Sequence, residues 1–235
     1  MKKLKALVAA GLAVAMLVGC GSDSGTSGKT FTFASELDIK NLDSSDADDG
    51  MSFNAMHACI DGLMGLDKDG KITEALAEKV DVSDDGLTYT FHLRDAKWSN
   101  GDAVTANDFV YAWQRIFKKK GSYYYMFADG IASIQGAQEL SDKIDAGEEL
   151  TDDDLNSMGV KALDGYTLEV KTTVRVSFLD ELLAFPPFYP INEKFAEKQG
   201  SKYGKSAKTI LGNGAFKMIN LEPGSVAEFK KNENY

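Results

Sequence analysis

The side chains able to do chemistry are few and scattered. The two histidines are His57, within an apolar helical pattern, and His92, on an alternating stretch beside Thr and Arg. Neither falls in a Ser-His-Asp order, a metal-spaced His/Cys set or a phosphate-cradling loop. Cys59 lies among Met56, Ala58 and Ile60, the setting of a buried, inert thiol. Asp46, Asp48 and Asp49 lead into Gly50. A calcium loop needs oxygen ligands at its first, third and fifth positions, glycine at the sixth and glutamate at the twelfth. Here the spacing fails and no glutamate closes the loop. The expectation is no catalytic residue, no metal and no cofactor. Binding chemistry is better represented. Tyr123, Tyr124 and Tyr125 are consecutive, each a flat apolar body with a hydroxyl for a ligand's backbone.

The elements that must position these groups centre on Leu87 to Phe117. Leu87, Tyr89, Phe91 and Leu93 alternate with Thr88, Thr90, His92 and Arg94, the pattern of a half-buried strand. Asn100-Gly101 marks a tight crossing. Thr105 with Asp108 predicts a helix start. Phe109, Val110, Trp113, Ile116 and Phe117 supply one apolar face, and Gly121 a stop after Lys118, Lys119 and Lys120. Upstream, Thr30 to Leu37 alternates and predicts a first strand. Ser52 is the expected N-cap of a helix through Leu63. Downstream, Thr151 caps an acidic first turn, and strand, Asp164-Gly165 turn and strand follow over Gly159 to Val170.

Residues 1–20 read as an export leader. Lys2, Lys3 and Lys5 precede the apolar run Ala6 to Val18, which is too short to span a bilayer. Gly19-Cys20 after that run is similar to the lipobox of bacterial lipoproteins, which implies lipidation of Cys20 with two or three acyl chains, since one holds only marginally. Residues 21–29 form a Gly/Ser linker. Losing the leader's three lysines takes the net charge from −10 to −13. That acidity argues against nucleic acid, whose phosphates it would repel.

The stretch TYTFHLRDAKWSNGDAVTANDFVYAWQR resembles the signature of the extracellular solute-binding proteins of family 5, peptide-binding lipoproteins that feed ABC importers. Asp61-Gly62-Leu63, Leu76-Ala77-Glu78, the Gly159 to Val170 run, Pro190-Ile191-Asn192, Gly212-Asn213-Gly214 and Lys231-Asn232 extend the likeness. It implies a mixed α/β fold, a periplasmic-binding-protein-like lobe I in two parts, residues 30–63 and 159–235. Residues 64–158 would form an inserted domain, with the second lobe absent from the chain.

The same resemblance implies a monomer that is no enzyme, lipid-anchored outside the cytoplasm on the outer face or in a periplasm. It would bind an oligopeptide and hand it to ABC permease subunits. Backbone at Asp48, Asp49 and Gly50 would pair with the peptide, and one of the three tyrosines would line the cleft. A solvated acidic turn and an aromatic cluster remain open as alternatives for these two segments. Asp48 would also favour cationic ligands. The isolated chain is expected to bind peptide poorly, because closure between lobes buries most of a ligand. Dipeptide, nickel and sugar ligands stay open, as does a surface lipoprotein or peptide-pheromone receptor that no longer supports transport.

Overall fold

The computed structural model describes residues 30–235. Cys20, the leader and the linker lie outside the described residues. Among the described residues, 30–36 fall in one unit and Leu37–Tyr235 in the other. In chain order the second unit holds α1 (Gly50–Cys59), β1 (Met64–Leu66), β2 (Ile72–Glu74), β3 (Ala77–Val82), β4 (Thr88–Leu93) and α2 (Ala106–Lys118). There follow α3 (Ala137–Asp145), α4 (Asp152–Asn156), β5 (Val160–Ala162), β6 (Thr167–Lys171), α5 (Leu179–Leu183), α6 (Glu193–Gln199), β7 (Phe216–Glu222) and β8 (Val226–Lys231). Single 3-10 turns stand at Tyr124–Phe127 and Pro186–Phe188.

The alternating stretch becomes the inner strand of a four-stranded antiparallel sheet ordered β3-β4-β6-β5. Phe91 sits opposite Leu168 in that ladder, and both are fully buried. Helix α2 packs on β5 and β6. It buries Phe109, Trp113, Ile116 and Phe117, each worth about 1.5–3 kcal/mol relative to exposure. Trp113 stands edge-on to Phe127 at 5.5 Å and to Phe188 at 5.8 Å, and its indole N–H donates to the Phe188 carbonyl at 3.0 Å. The start of α2 is a closed box. The Thr105 N–H and the Trp98 indole N–H both donate to Asp108 Oδ2, at 2.7 and 3.2 Å.

Three expectations need correction. The boundary at residues 158 and 159 cuts through one sheet: β4 takes β3 on one side and β6 on the other, so residues 64–158 do not pack as a body of their own. Hydrophobic pattern reveals a strand's faces but not its neighbours, and here the neighbour comes from the later segment. Thr30 to Leu37 is not a strand, and Phe31 and Phe33 are exposed. Alternation says which face would be covered; pairing also needs an edge to join.

The helix expected from Ser52 to Leu63 begins instead at Gly50 and ends at Cys59. Asp49 is the N-cap, because its carboxylate reaches the Ser52 N–H at 2.9 Å. Ser52 then uses its hydroxyl oxygen to accept the Lys40 and Asn41 N–H groups, each at 3.1 Å. At the far end Ile60 turns extended, and Gly62 lies under the Tyr189 ring, where a Cβ would sit 2.7 Å from it.

Candidate ligand-binding surface

Asp49 is extended, with φ −127° and ψ 148°, and α1 starts at the next residue. Its carboxylate is spent on the cap, taking the Ser52 hydroxyl proton at 2.7 Å as well as the N–H. Its carbonyl accepts the Phe53 N–H at 3.1 Å. Its own N–H, the Gly50 N–H and both backbone groups of Asp48 have no hydrogen-bond partner among the described residues. Asp48 and Gly50 are exposed. The segment thus displays main-chain donors and an acceptor around the extended Asp49, at a helix N-terminus.

That run is held by a buried ion pair. Arg115, near the end of α2, meets Asp43 through Nη1–Oδ1 at 2.6 Å and Nη2–Oδ2 at 2.8 Å. Lys119 Nζ adds a contact to Oδ2 at 2.9 Å. The Asp43 side chain is only 1% exposed. Burial pushes its carboxyl up, but the Arg115 hydrogen bonds and charge, with Lys119, outweigh this and hold it below the ordinary value. The Gly212-Asn213-Gly214 run fastens the other end of α1. Asn213 accepts the Asp61 N–H at 2.9 Å and donates to its carbonyl at 3.2 Å. Gly212 allows the approach, since a Cβ there would lie 2.2 Å from the Cys59 carbonyl oxygen.

The three tyrosines part company. Tyr123 packs edge-on to Phe53 of α1 at 5.5 Å and to Phe185 at 5.7 Å. Tyr125, half exposed, stacks over Tyr123 at 6.1 Å. Tyr124 packs instead on Phe117 at 5.9 Å and donates its hydroxyl to Asp145 at 2.6 Å. So Tyr123 and Tyr125 join the first turn of α1, three residues beyond the extended segment, while Tyr124 serves the α2–α3 contact. One helical turn past Phe53, His57 lies 2.7 Å through Nδ1 from the Tyr189 hydroxyl, which also reaches the Ala184 carbonyl at 3.1 Å.

Phe53 was legible only as a core position, and Phe185 and Tyr189 not at all as neighbours. Their contacts with Tyr123 and His57 join segments more than sixty residues apart, and no local signal marks them. Burial holds the His57 imidazole below its usual pKa and pushes the Cys59 thiol up to about 12. His92 pairs with Asp81 at 2.8 Å. Neither histidine is paired with a serine or cysteine nucleophile. Among the described residues no group of three His, Cys, Asp or Glu side chains is placed to hold a metal, and no helix is long and apolar enough to cross a membrane. Two open depressions of about 380 and 350 Å³ lie beside the four-stranded sheet and include none of these residues. The candidate surface is a ledge formed by Asp48–Gly50 with Tyr123 and Tyr125.

Residues 71–235 match the model of the bacterial extracellular solute-binding proteins, family 5 middle region. A dipeptide-binding protein of Lactococcus lactis is 36% identical over 203 residues, covering 86% of this chain and 35% of its own. The substrate-binding domain of an oligopeptide ABC transporter from Bacillus anthracis superposes with a TM-score of 0.77 at 37% identity, over 86% of this chain and 38% of that one. Listeria monocytogenes OppA bound to peptide gives 0.74 at 38% identity, over 84% and 37%. The chain spans little more than a third of the length of these relatives. It belongs to the bacterial extracellular solute-binding proteins of family 5.

Proposed function

We propose that this chain is the peptide-docking portion of an ABC importer's substrate-binding lipoprotein. It lies outside the cytoplasm and is tethered through Cys20. An extended peptide pairs its main chain with Asp48, Asp49 and Gly50, while Tyr123 and Tyr125 support its side chains. The permease subunits of the importer are the partner that receives the peptide. The observation that carries this reading is that both backbone groups of exposed Asp48 and the N–H groups of Asp49 and of exposed Gly50 lack partners among the described residues, three residues from an aromatic cluster. Relatives whose names state peptide binding support it. A one-sided ledge buries little of its ligand, so affinity of this chain alone falls in the ~millimolar range.

The test replaces Gly50 by proline. Gly50 is the first helical residue, where proline is tolerated, and Asp49 before it is already extended. The variant loses one N–H and little else. Titrating the chain with tetra-alanine and following backbone amides by NMR should move Asp49 and Gly50 first, and Gly50→Pro should weaken binding. Peptide shifts confined to other surfaces would refute the reading. Binding without import in cells would make the protein a receptor instead.

A further inference from the structure

The two ledges of the surface come from segments far apart in the chain, yet one spot holds both. Asp43 opens the turn that leads to Asp48: it accepts the Asp46 and Ala47 N–H groups at 2.9 and 2.8 Å. Arg115 grips Asp43 with both nitrogens of its fork and gives a further bond from Nη1 to Ser45 Oγ at 2.8 Å. Its guanidinium also stacks 5.1 Å from the Tyr203 ring centre. Six residues on, the chain that leaves α2 presses against the same turn. A Cβ at Gly121 would lie 1.8 Å from the Ser45 carbonyl oxygen. The left-handed residue of this helix end is Lys120, φ 52°, so Gly121 is glycine for space and not for angle. Tyr123 follows two residues later.

We propose that Asp43, Arg115 and Gly121 are positioning residues: they hold the main-chain ledge at Asp48–Gly50 and the aromatic ledge at Tyr123 and Tyr125 in one register. The consequence for ligand affinity rests on the peptide-binding reading above; the register itself does not. A planar fork against a buried carboxylate fixes orientation as well as distance, which a lysine's point charge does not. Close backbone contact at Gly121 then passes that orientation to the tyrosine turn. Loosening the clamp leaves the sheet and α2 in place but lets the ledges drift.

Three variants of graded severity test this in the whole chain: Ser45→Ala, Arg115→Lys and Gly121→Ala. Leu93→Ala, buried on β4 of the four-stranded sheet, which holds none of the clamp residues, is the control for general destabilisation. Hydrogen exchange at Asp46 and Ala47, whose N–H groups donate to the Asp43 carbonyl, and the ring signals of Tyr123 are read without ligand. In the clamp variants exchange should quicken and the Tyr123 signals shift together, with Ser45→Ala the mildest. Tetra-alanine affinity of the folded protein should fall about tenfold in Arg115→Lys. Leu93→Ala should lower the melting temperature with none of these changes. If Ser45→Ala and Arg115→Lys leave exchange and ring signals as in the control, the clamp is refuted, whatever the peptide does. If those signals move but the unmodified chain binds no peptide, the clamp stands and the peptide-binding reading fails.

Discussion

The Asp49 carboxylate takes both protons that Ser52 can offer, the N–H at 2.9 Å and the hydroxyl at 2.7 Å. A carboxylate beside the candidate ledge is therefore committed to its own helix. Asp49→Ala should cost about 1 kcal/mol in urea unfolding, the usual loss for an N-cap. Gly50→Pro should stay within about 1 kcal/mol of the parent, since the first helical residue needs no N–H of its own. A large loss for Gly50→Pro would mean that its N–H has a partner within the fold.

With Asp49 occupied, Asp48 is a charge at the ledge without a side-chain partner among the described residues. Asp48→Asn should cut the preference for Ala-Lys-Ala-Ala over tetra-alanine by a few-fold, about what an exposed pair contributes. Raising salt to ~1 M should erase the same preference in the parent, because the Debye length then shrinks to about 3 Å. An unchanged preference in the variant would exclude Asp48 from ligand selection.

Asp108 links stability to pH. Burial, the largest influence, pushes its carboxyl up to about 6, against the hydrogen bonds from Thr105 and Trp98 that favour the charge. A folded-state value above the unfolded one means that its stabilisation is complete below about pH 4 and is lost as pH rises through about 6. Asp43 runs the other way. Its lowered value favours the fold above the ordinary carboxylate range and is lost in stronger acid. In guanidinium titrations Asp108→Asn should flatten the curve between pH about 4 and 7, by at most about 3 kcal/mol. A parallel curve would show that Asp108 is ionised throughout.

The Cys59 thiol should be silent. It is 4% exposed and its pKa is about 12, so almost no thiolate exists at neutral pH. A disulfide reagent should label it only in denaturant, and rapid labelling of the native chain would mean that α1 opens.

Gly62 should not accept a methyl group. A Cβ would meet the Tyr189 ring at 2.7 Å and the Leu183 carbonyl at 2.8 Å. Gly62→Ala should lower stability by about 1–3 kcal/mol and disturb the His57 ring signals by displacing Tyr189. If the melting temperature holds, the ring moves more freely than its packing implies.

What could be read in advance follows from distance along the chain. The Thr105–Asp108 box, the Thr151 cap, the Asn100-Gly101 crossing and the face of Trp113 and Ile116 each depend on residues within two helical turns, and all are present. Ser52 was the expected cap, whereas Asp49 three residues earlier takes that role. The choice depended on the Lys40 and Asn41 amides, which claim the serine oxygen from outside the helix. Gly121 looked like a helix stop, whereas its real neighbour is a carbonyl over seventy residues away. The three tyrosines carry one composition and two fates, because a short 3-10 turn sends Tyr124 the opposite way. Mixed α/β architecture was legible; the partners of β4 were not, since strands carry no address.

That last point reaches into biosynthesis. Thr88 of β4 pairs with Lys171 of β6. A nascent chain therefore has its inner rung long before the second rail emerges. Closing so long a loop is entropically costly and slow. Until Lys171 clears the ribosome, Phe91 has no Leu168 to face, and a molecular chaperone would find it still uncovered.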